Sequence, residues 1–215
     1  MTDLMPTPSP GQTLFYGEPG NPAVVVLHDM YGRLPWLEAF AMAIAGHGFR
    51  VAVPDFYDGV CTVVESNARD LMQNLDVARS LALIDDAVEE DQETGVERVG
   101  LVGFSMGGWL ALLHAQAGGV DAVVAYYASL GPEDHGLIPC PVLLQWAEID
   151  HWRAGEEPES FAARLHDHGT PVTEHTYLGT RHSFANASLT DTLDVRAAAL
   201  AFARTAVFLE TQLID

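Results

Sequence analysis

Ser105, Asp150 and His182 are the residues of this chain whose types and order suit covalent chemistry. Ser105 sits in Gly103-Phe104-Ser105-Met106-Gly107, a Gly-x-Ser-x-Gly pattern. The apolar run Val99 to Val102 leads into it, and the helix-like stretch Trp109 to Ala115 leads out. A strand-to-helix turn of this kind holds a serine hydroxyl above the end of a sheet in strained backbone. Gly103, Gly107 and Gly108 leave room for chain that crosses closely. The hydroxyl is a poor nucleophile at neutral pH and needs a base to take its proton during attack. A histidine titrates in the right range for that role, and a carboxylate fixes its tautomer and stabilises the imidazolium. The chemistry would be nucleophilic acyl transfer. The plainer reading of the same pattern is a glycine-rich turn in an ordinary α/β sheet. A dinucleotide turn is disfavoured, since Gly-x-Gly-x-x-Gly is absent.

The chain has nine histidines. His47, His114, His166 and His168 fall on or beside helix-like stretches and His175 within a strand, while His28, His135 and His151 lie in loops. Only His182 combines a late strand end with a position after both the serine and an acid. Asp150 is preferred to Glu148 as the acid because it lies farther into the turn. The tetrahedral intermediate of acyl transfer carries an oxyanion that backbone amides must meet. The N–H of Met106, next after the serine, and that of Met30, in the loop after the first core strand, are the expected donors.

These residues need a scaffold, and the order of elements supplies one. Ala23 to Leu27, Phe49 to Val53, Arg98 to Val102, Val120 to Ala128, Val142 to Ala147 and Val172 to Leu178 read as strands. Between them, Pro35 to Gly48, Ser66 to Glu90, the stretch after Ser105 to Gly118, and Pro158 to His168 read as helices, with a final helix from Leu189 to Leu213. The Ser66–Glu90 stretch is one long amphipathic pattern. Repeated β-α alternation predicts an α/β fold with a mostly parallel sheet of about seven strands, helices on both faces and no large cap domain. Functional loops of such a sheet lie at the carboxyl ends of its strands. Ser105, Asp150 and His182 each follow a different strand, so all three fall on one edge.

At 215 residues, with no linker, repeat or shift of composition, a single domain over 1–215 is expected. Residues 1–12, rich in spaced prolines, read as a loose arm. No apolar stretch reaches the length of a membrane span, and the N-terminal residues lack the pattern of a signal peptide, so the cytoplasm is the expected location. The formal charge is −20, from 30 acidic and 10 basic residues. Such a field repels nucleic acid and anionic membranes, so neither is an expected partner. All the basic residues are arginine, which excludes a lysine Schiff base, a Ser-Lys dyad and a lysine-containing P-loop. Cys61 and Cys140 form neither a disulfide framework nor a zinc pattern.

The chain resembles the dienelactone hydrolase family, a compact capless branch of the α/β-hydrolases, from about Ala23 onward. The order serine, acid, histidine is that of the α/β-hydrolase fold. Four stretches carry the resemblance: Leu27 to Gly32, Val53 to Tyr57, Gly103 to Gly108, and Tyr177 to Phe184. It implies hydrolysis of small ester or lactone bonds with no metal or organic cofactor, by a monomer or homodimer acting on a small molecule. A thioesterase or short-peptide hydrolase on the same triad, and a non-catalytic ligand-binding member, are the alternatives. Three departures stand out. The family usually has a cysteine nucleophile, and this chain has Ser105; it usually has glutamate where this chain has the shorter Asp29. An arginine usual after the histidine is replaced by Asn186, while Arg69 matches the family's other carboxylate-binding arginine. A neutral ester, thioester or lactone fits this set better than an anionic lactone. Asp29, Tyr31, Phe56, Tyr57 and Arg69 are the expected substrate-binding residues, with Trp109 and Trp146 assigned to the core.

Overall fold

Strand residues with apolar side chains on both sides must be covered on both sides, and the sheet of this protein is. In the computed structural model, which describes residues 3–93, 95–134, 136–152 and 157–214, the sheet contains seven strands. They are β2 (Leu14–Tyr16), β3 (Ala23–Leu27), β4 (Arg50–Val53), β6 (Val99–Phe104), β7 (Ala122–Tyr126), β8 (Val142–Ile149) and β9 (Val172–Arg181), in the order β2-β4-β3-β6-β7-β8-β9. Only β2 runs antiparallel to its neighbour. A separate ribbon pairs β1 (Met5–Pro6) with β5 (Val60–Cys61). His135 lies outside the described residues.

The period-two alternation of strand side chains divides the core in two. Val25, Leu27, Leu101 and Val123 face α3 (Val77–Glu93), α4 (Met106–Ala115) and α5 (Pro158–Asp167). Val24, Val26, Val102 and Val124 face α1 (Pro35–Ala45) and α6 (Val195–Leu213). The side chains of β3, between the two halves, are fully buried over all five residues. Among the described residues no segment forms a cap over the strand ends, and no helix is long and apolar enough to cross a membrane.

Three expectations are corrected. The long pattern from Ser66 to Glu90 is two helices, α2 (Glu65–Gln73) and α3, broken at residues 74–76. Asp76 makes the break, because its carboxylate accepts the Arg79 N–H at 3.0 Å and caps the second helix. The last helix starts at Val195 rather than Leu189, again at an aspartate: Asp194 accepts from the amides of Arg196 and Ala197.

Residues 7–12 of the N-terminal arm are docked rather than loose. Arg33 is 1% exposed, and its guanidinium donates to the carbonyls of Pro8, Ser9, Gln12 and Val53. Asp55, equally buried, lies 3.6 Å from the guanidinium and accepts from the Gly11 amide and the Thr7 hydroxyl. A buried guanidinium has five donors to satisfy, and the arm supplies carbonyls the sheet cannot. That demand holds residues 7–12 in place.

Candidate active site

The chain turns sharply between β6 and α4, and Ser105 occupies the turn with φ 51° and ψ −115°. For a side chain larger than glycine such backbone is strained, and strain of this kind clusters at functional sites. Two glycines make it possible. A Cβ on Gly103 would run into the backbone of Gly107, and one on Gly107 would meet the carbonyl oxygens of Leu27 and His28 at 2.5 Å. The turn therefore packs directly on the end of β3. The Ser105 N–H is bound to the Tyr126 carbonyl at 3.0 Å, which fixes the residue to β7 as well.

The structure brings Ser105, His182 and Asp150 together. Ser105 Oγ lies 2.7 Å from His182 Nε2, and His182 Nδ1 lies 2.8 Å from Asp150 Oδ2. The Asp150 side chain is 1% exposed and that of His182 8%. The other carboxylate oxygen of Asp150 accepts the Trp152 N–H at 2.9 Å, so the acid is held from two directions. The β8–β9 register slips between Ala147 and Ile149. There Glu148 Oε2 accepts the Gly179 N–H at 2.6 Å and is used up in the ladder, while Asp150 faces the histidine. This arrangement can deprotonate the hydroxyl during attack and carry the proton on the imidazole.

The two amides proposed to face an oxyanion belong to Met106, next in the chain after the serine, and to Met30, in the loop after β3. Met106 opens α4, so its N–H has no acceptor within the helix and sits at the positive end of the helix dipole. Met30 stands in a turn fixed by two bonds, Tyr31 N–H to Asp29 Oδ1 at 2.9 Å and Gly32 N–H to the Asp29 carbonyl at 3.1 Å. Both methionines line the cavity that opens at Ser105.

Two hollows meet at the histidine. An apolar cavity of about 370 Å³ is walled by Ser105, Met106, Trp109, Tyr127 and His182, and by Met72, Leu75 and Val77. A second hollow of about 320 Å³ is more polar, with Tyr31, Glu65, Arg181, Ser183 and Thr192 in its walls. Met30, Trp152 and His182 belong to both.

Of the five residues expected to bind substrate, Tyr31 alone lines either hollow. Phe56 is buried against the ring of His28, at 4.7 Å between centroids. Tyr57 stands beneath the cavity, its hydroxyl donating to the sulfur of Met106 at 3.2 Å. Arg69 is ion-paired with Glu65 one helical turn away and stacks on Trp152, its guanidinium carbon 3.9 Å from the ring centroid. It braces a wall from outside. His28 is fully buried, its Nε2 accepting the Phe56 N–H at 3.1 Å; burial drives it down to about 4, so it stays neutral.

Asp29 is fully buried as well. Its second oxygen accepts the Asn186 side-chain N–H at 2.8 Å, so two of the three departures from the family pattern bond to each other. Together they tie the loop after β3 to the loop after β9. Burial pushes the Asp29 carboxyl up to about 6, against the lowering effect of Asn186 and the Tyr31 amide. In the unfolded chain the group titrates near ~4, so folding strengthens its hold on the proton. Its contribution to stability is therefore fully present below pH ~4 and is lost as pH rises through about 6. Asp29→Asn should remove this dependence. Between pH 7 and 5 the stability of the parent should gain on that of the variant by about 1 to 2 kcal/mol. Melting curves of both across that range check it, and a constant difference would rule it out.

Sequence reasoning missed Trp109, Tyr127 and the break between α2 and α3 as cavity walls. Trp109 reads as core because it follows the elbow on a helix, yet it faces the opening. Tyr127 carries a visible signal, being the first residue past β7, where the strand-end rule applies. It too has positive φ, 40°, and its ring lies 4.8 Å from that of His182. Among the described residues no three histidine, cysteine or acidic side chains are grouped to hold a metal ion.

Known proteins share this framework. The protein "usf" of Aquifex pyrophilus is 28% identical over 189 residues, 81% of each chain. Carboxymethylenebutenolidase 1 of Cupriavidus pinatubonensis is 26% identical over 204 residues, 86% of this chain and 83% of that one. The crystal structure of a dienelactone hydrolase-like promiscuous phosphotriesterase from metagenomic libraries superposes with a TM-score of 0.78 at 19% identity, covering 89% of this chain and 86% of that one. The fold is that of the α/β-hydrolases. The sequence model of the dienelactone hydrolase family matches residues 12–213, leaving almost none of the chain outside it, and the protein belongs to that family.

Proposed function

We propose that the chain is a serine hydrolase that cleaves small carboxylic ester or lactone bonds through an acyl-enzyme on Ser105. The observation that carries this reading is the continuous chain of hydrogen bonds from Ser105 Oγ through His182 to Asp150. Ser105 attacks the carbonyl carbon as His182 Nε2 takes its proton, and the carbonyl oxygen becomes an oxyanion facing the Met106 and Met30 amides. The C–O bond to the alcohol then breaks as His182 returns that proton to the leaving oxygen. Water, deprotonated by the same nitrogen, attacks the acyl carbon and frees Ser105. Asp150 accepts from Nδ1 and so holds the imidazole with its proton there.

Among the described residues no arginine lines the apolar cavity, and Arg69 behind its wall is paired with Glu65. An apolar acyl group suits that space. The strongly acidic composition favours a cytoplasmic enzyme working on a small, diffusing substrate. A fluorophosphonate probe tests the mechanism directly. Peptide mapping should find one adduct, on Ser105, and labelling should fall in step with loss of esterase activity. Full activity with a fully labelled serine would overturn it.

A further inference from the structure

β9 closes one side of the sheet, and no described strand pairs with its outer edge. It is ten residues long, with Thr173, Glu174, Thr176, Leu178 and Gly179 exposed. The Val142 N–H bonds to the Pro171 carbonyl at 2.8 Å, so Pro171 and every second residue after it turn their backbone groups to β8. The N–H and C=O groups of Glu174 and Thr176 therefore point outward. Native sheets blunt so long an edge with lysine, proline or a covering segment, and β9 contains neither lysine nor proline. Next to it, α6 turns Val195 and Val207 to solvent at 69% and 61% exposure, and Leu200 is exposed as well. From Val195 to Leu209 this helix carries two arginines and no acid, on a molecule of formal charge −20. A groove of about 390 Å³ joins the two surfaces, between Thr173 and His175 of β9 and Ala203, Val207 and Phe208 of α6.

We infer that β9 and α6 form a two-fold interface with a second copy of this chain, in which the two β9 strands pair antiparallel about Thr176 and the two sheets become one. The strand is self-complementary in that register. Thr176 faces its own copy, His175 faces Tyr177, Glu174 faces Leu178 and Thr173 faces Gly179, so no like charges meet. Centred on Glu174 instead, the pair would set two carboxylates opposite each other. The one acid of β9 is also engaged within its own chain, where Glu174 Oε2 accepts the Trp146 indole N–H at 3.0 Å. An antiparallel pair keeps both copies of α6 on the same side of the joined sheet, where Val195, Leu200 and Val207 of each can be covered. Charge favours this face over others, because two strongly acidic bodies approach most easily where neither presents a carboxylate. The patch is about 30 Å long and about 20 Å wide, from the lengths of the two elements and the depth of one sheet and one helix layer. That gives roughly 600 Å² on each copy, close to the ~800 Å² per partner of a stable interface.

Sedimentation equilibrium of the full chain at micromolar concentrations tests this, and it reads mass, independently of the acyl-enzyme reading above. The parent should sediment at twice the mass of one chain. Raising the salt should tighten the dimer, because it screens the repulsion of two acidic bodies and leaves the apolar contact intact. Val207→Glu brings a carboxylate to the interface and should raise the dissociation constant about tenfold or more. Thr176→Pro removes one outward N–H and no bond to β8, so it should give a folded monomer with the parent's circular dichroism. Met42→Glu adds the same charge at an exposed position of α1 and should leave the dimer intact. A parent that stays monomeric at all salt concentrations overturns the proposal. So does a dimer that survives both Val207→Glu and Thr176→Pro, since the contact then lies elsewhere. Equal weakening by Met42→Glu and Val207→Glu also overturns it, because net charge alone would then govern association.

Discussion

Ser105→Ala is expected to lower kcat for a butyryl ester by roughly 10⁴- to 10⁶-fold, the scale on which a triad acts as one unit. The substitution removes the only oxygen within bonding distance of His182 Nε2 in the described structure. His182 and Asp150 are left with nothing to activate but water. What survives is the contribution of the amides of Met106 and Met30 and of the cavity. The fold should be preserved, because alanine removes an oxygen and adds nothing to the crowded turn. Strain from the positive φ of 51° stays with any residue that has a Cβ. Single-turnover assays with the purified variant give the residual rate, and a loss below about tenfold would exclude Ser105 as the nucleophile. KM should change little, since the hydroxyl contributes to the transition state far more than to ground-state binding.

The second large effect is expected at Asp150. Asp150→Asn should lower kcat near neutral pH by about 10⁴-fold. The asparagine is nearly the same shape, and its carbonyl oxygen can still accept the Trp152 N–H that Asp150 accepts at 2.9 Å. Its amide nitrogen then faces His182 Nδ1, a donor where an acceptor stood. The imidazole answers by placing its proton on Nε2, and that nitrogen can no longer take the proton of Ser105. A rise in kcat/KM loss through KM alone would count against this account, because the effect is on proton transfer. Glu148→Gln is the matched comparison. Its oxygen still accepts the Gly179 amide, so activity should stay within a few-fold of the parent. Equal losses at the two positions would mean that a disturbed strand end, rather than the histidine tautomer, is responsible.

Legibility in the sequence followed the reach of the interactions. Ser105, Asp150 and His182 were readable because a parallel sheet sends the carboxyl ends of its strands to one edge, so a residue just past a strand has a predictable place. The glycines of the elbow were readable for the same reason, being local to the turn. Asp76 carried a local capping signal too, but the apolar steps at Leu71, Leu75 and Ala78 continue across it and favoured one unbroken helix. The consequence was functional, since Leu75 and Val77 at that break wall the apolar cavity. Strand β2 is three residues long and gets its stability from β4 rather than from its own pattern. The partner of Asp29 lies 157 residues away, and that of the arm is a buried arginine; neither separation leaves a trace in local spacing. Phe56 and Tyr57 are at a strand end as the rule requires, yet His28 and Met106 cover them. Position along the chain gave their edge of the sheet but not their depth.

β9 is one of the sheet's two edge strands and, among the described residues, is bonded along one side only, to β8. It is also the strand that delivers the histidine, whose partner serine is 77 residues earlier. Catalysis on the proposed triad therefore depends on an edge strand of the sheet. During refolding, recovery of turnover should mark the closing event, after the inner strands have already assembled. Fraying of this edge would withdraw the proposed general base without unfolding the rest of the sheet. Heat or mild denaturant would then silence the enzyme before it melts the protein. Turnover, for this chain, is a gauge of how firmly its last strand is closed.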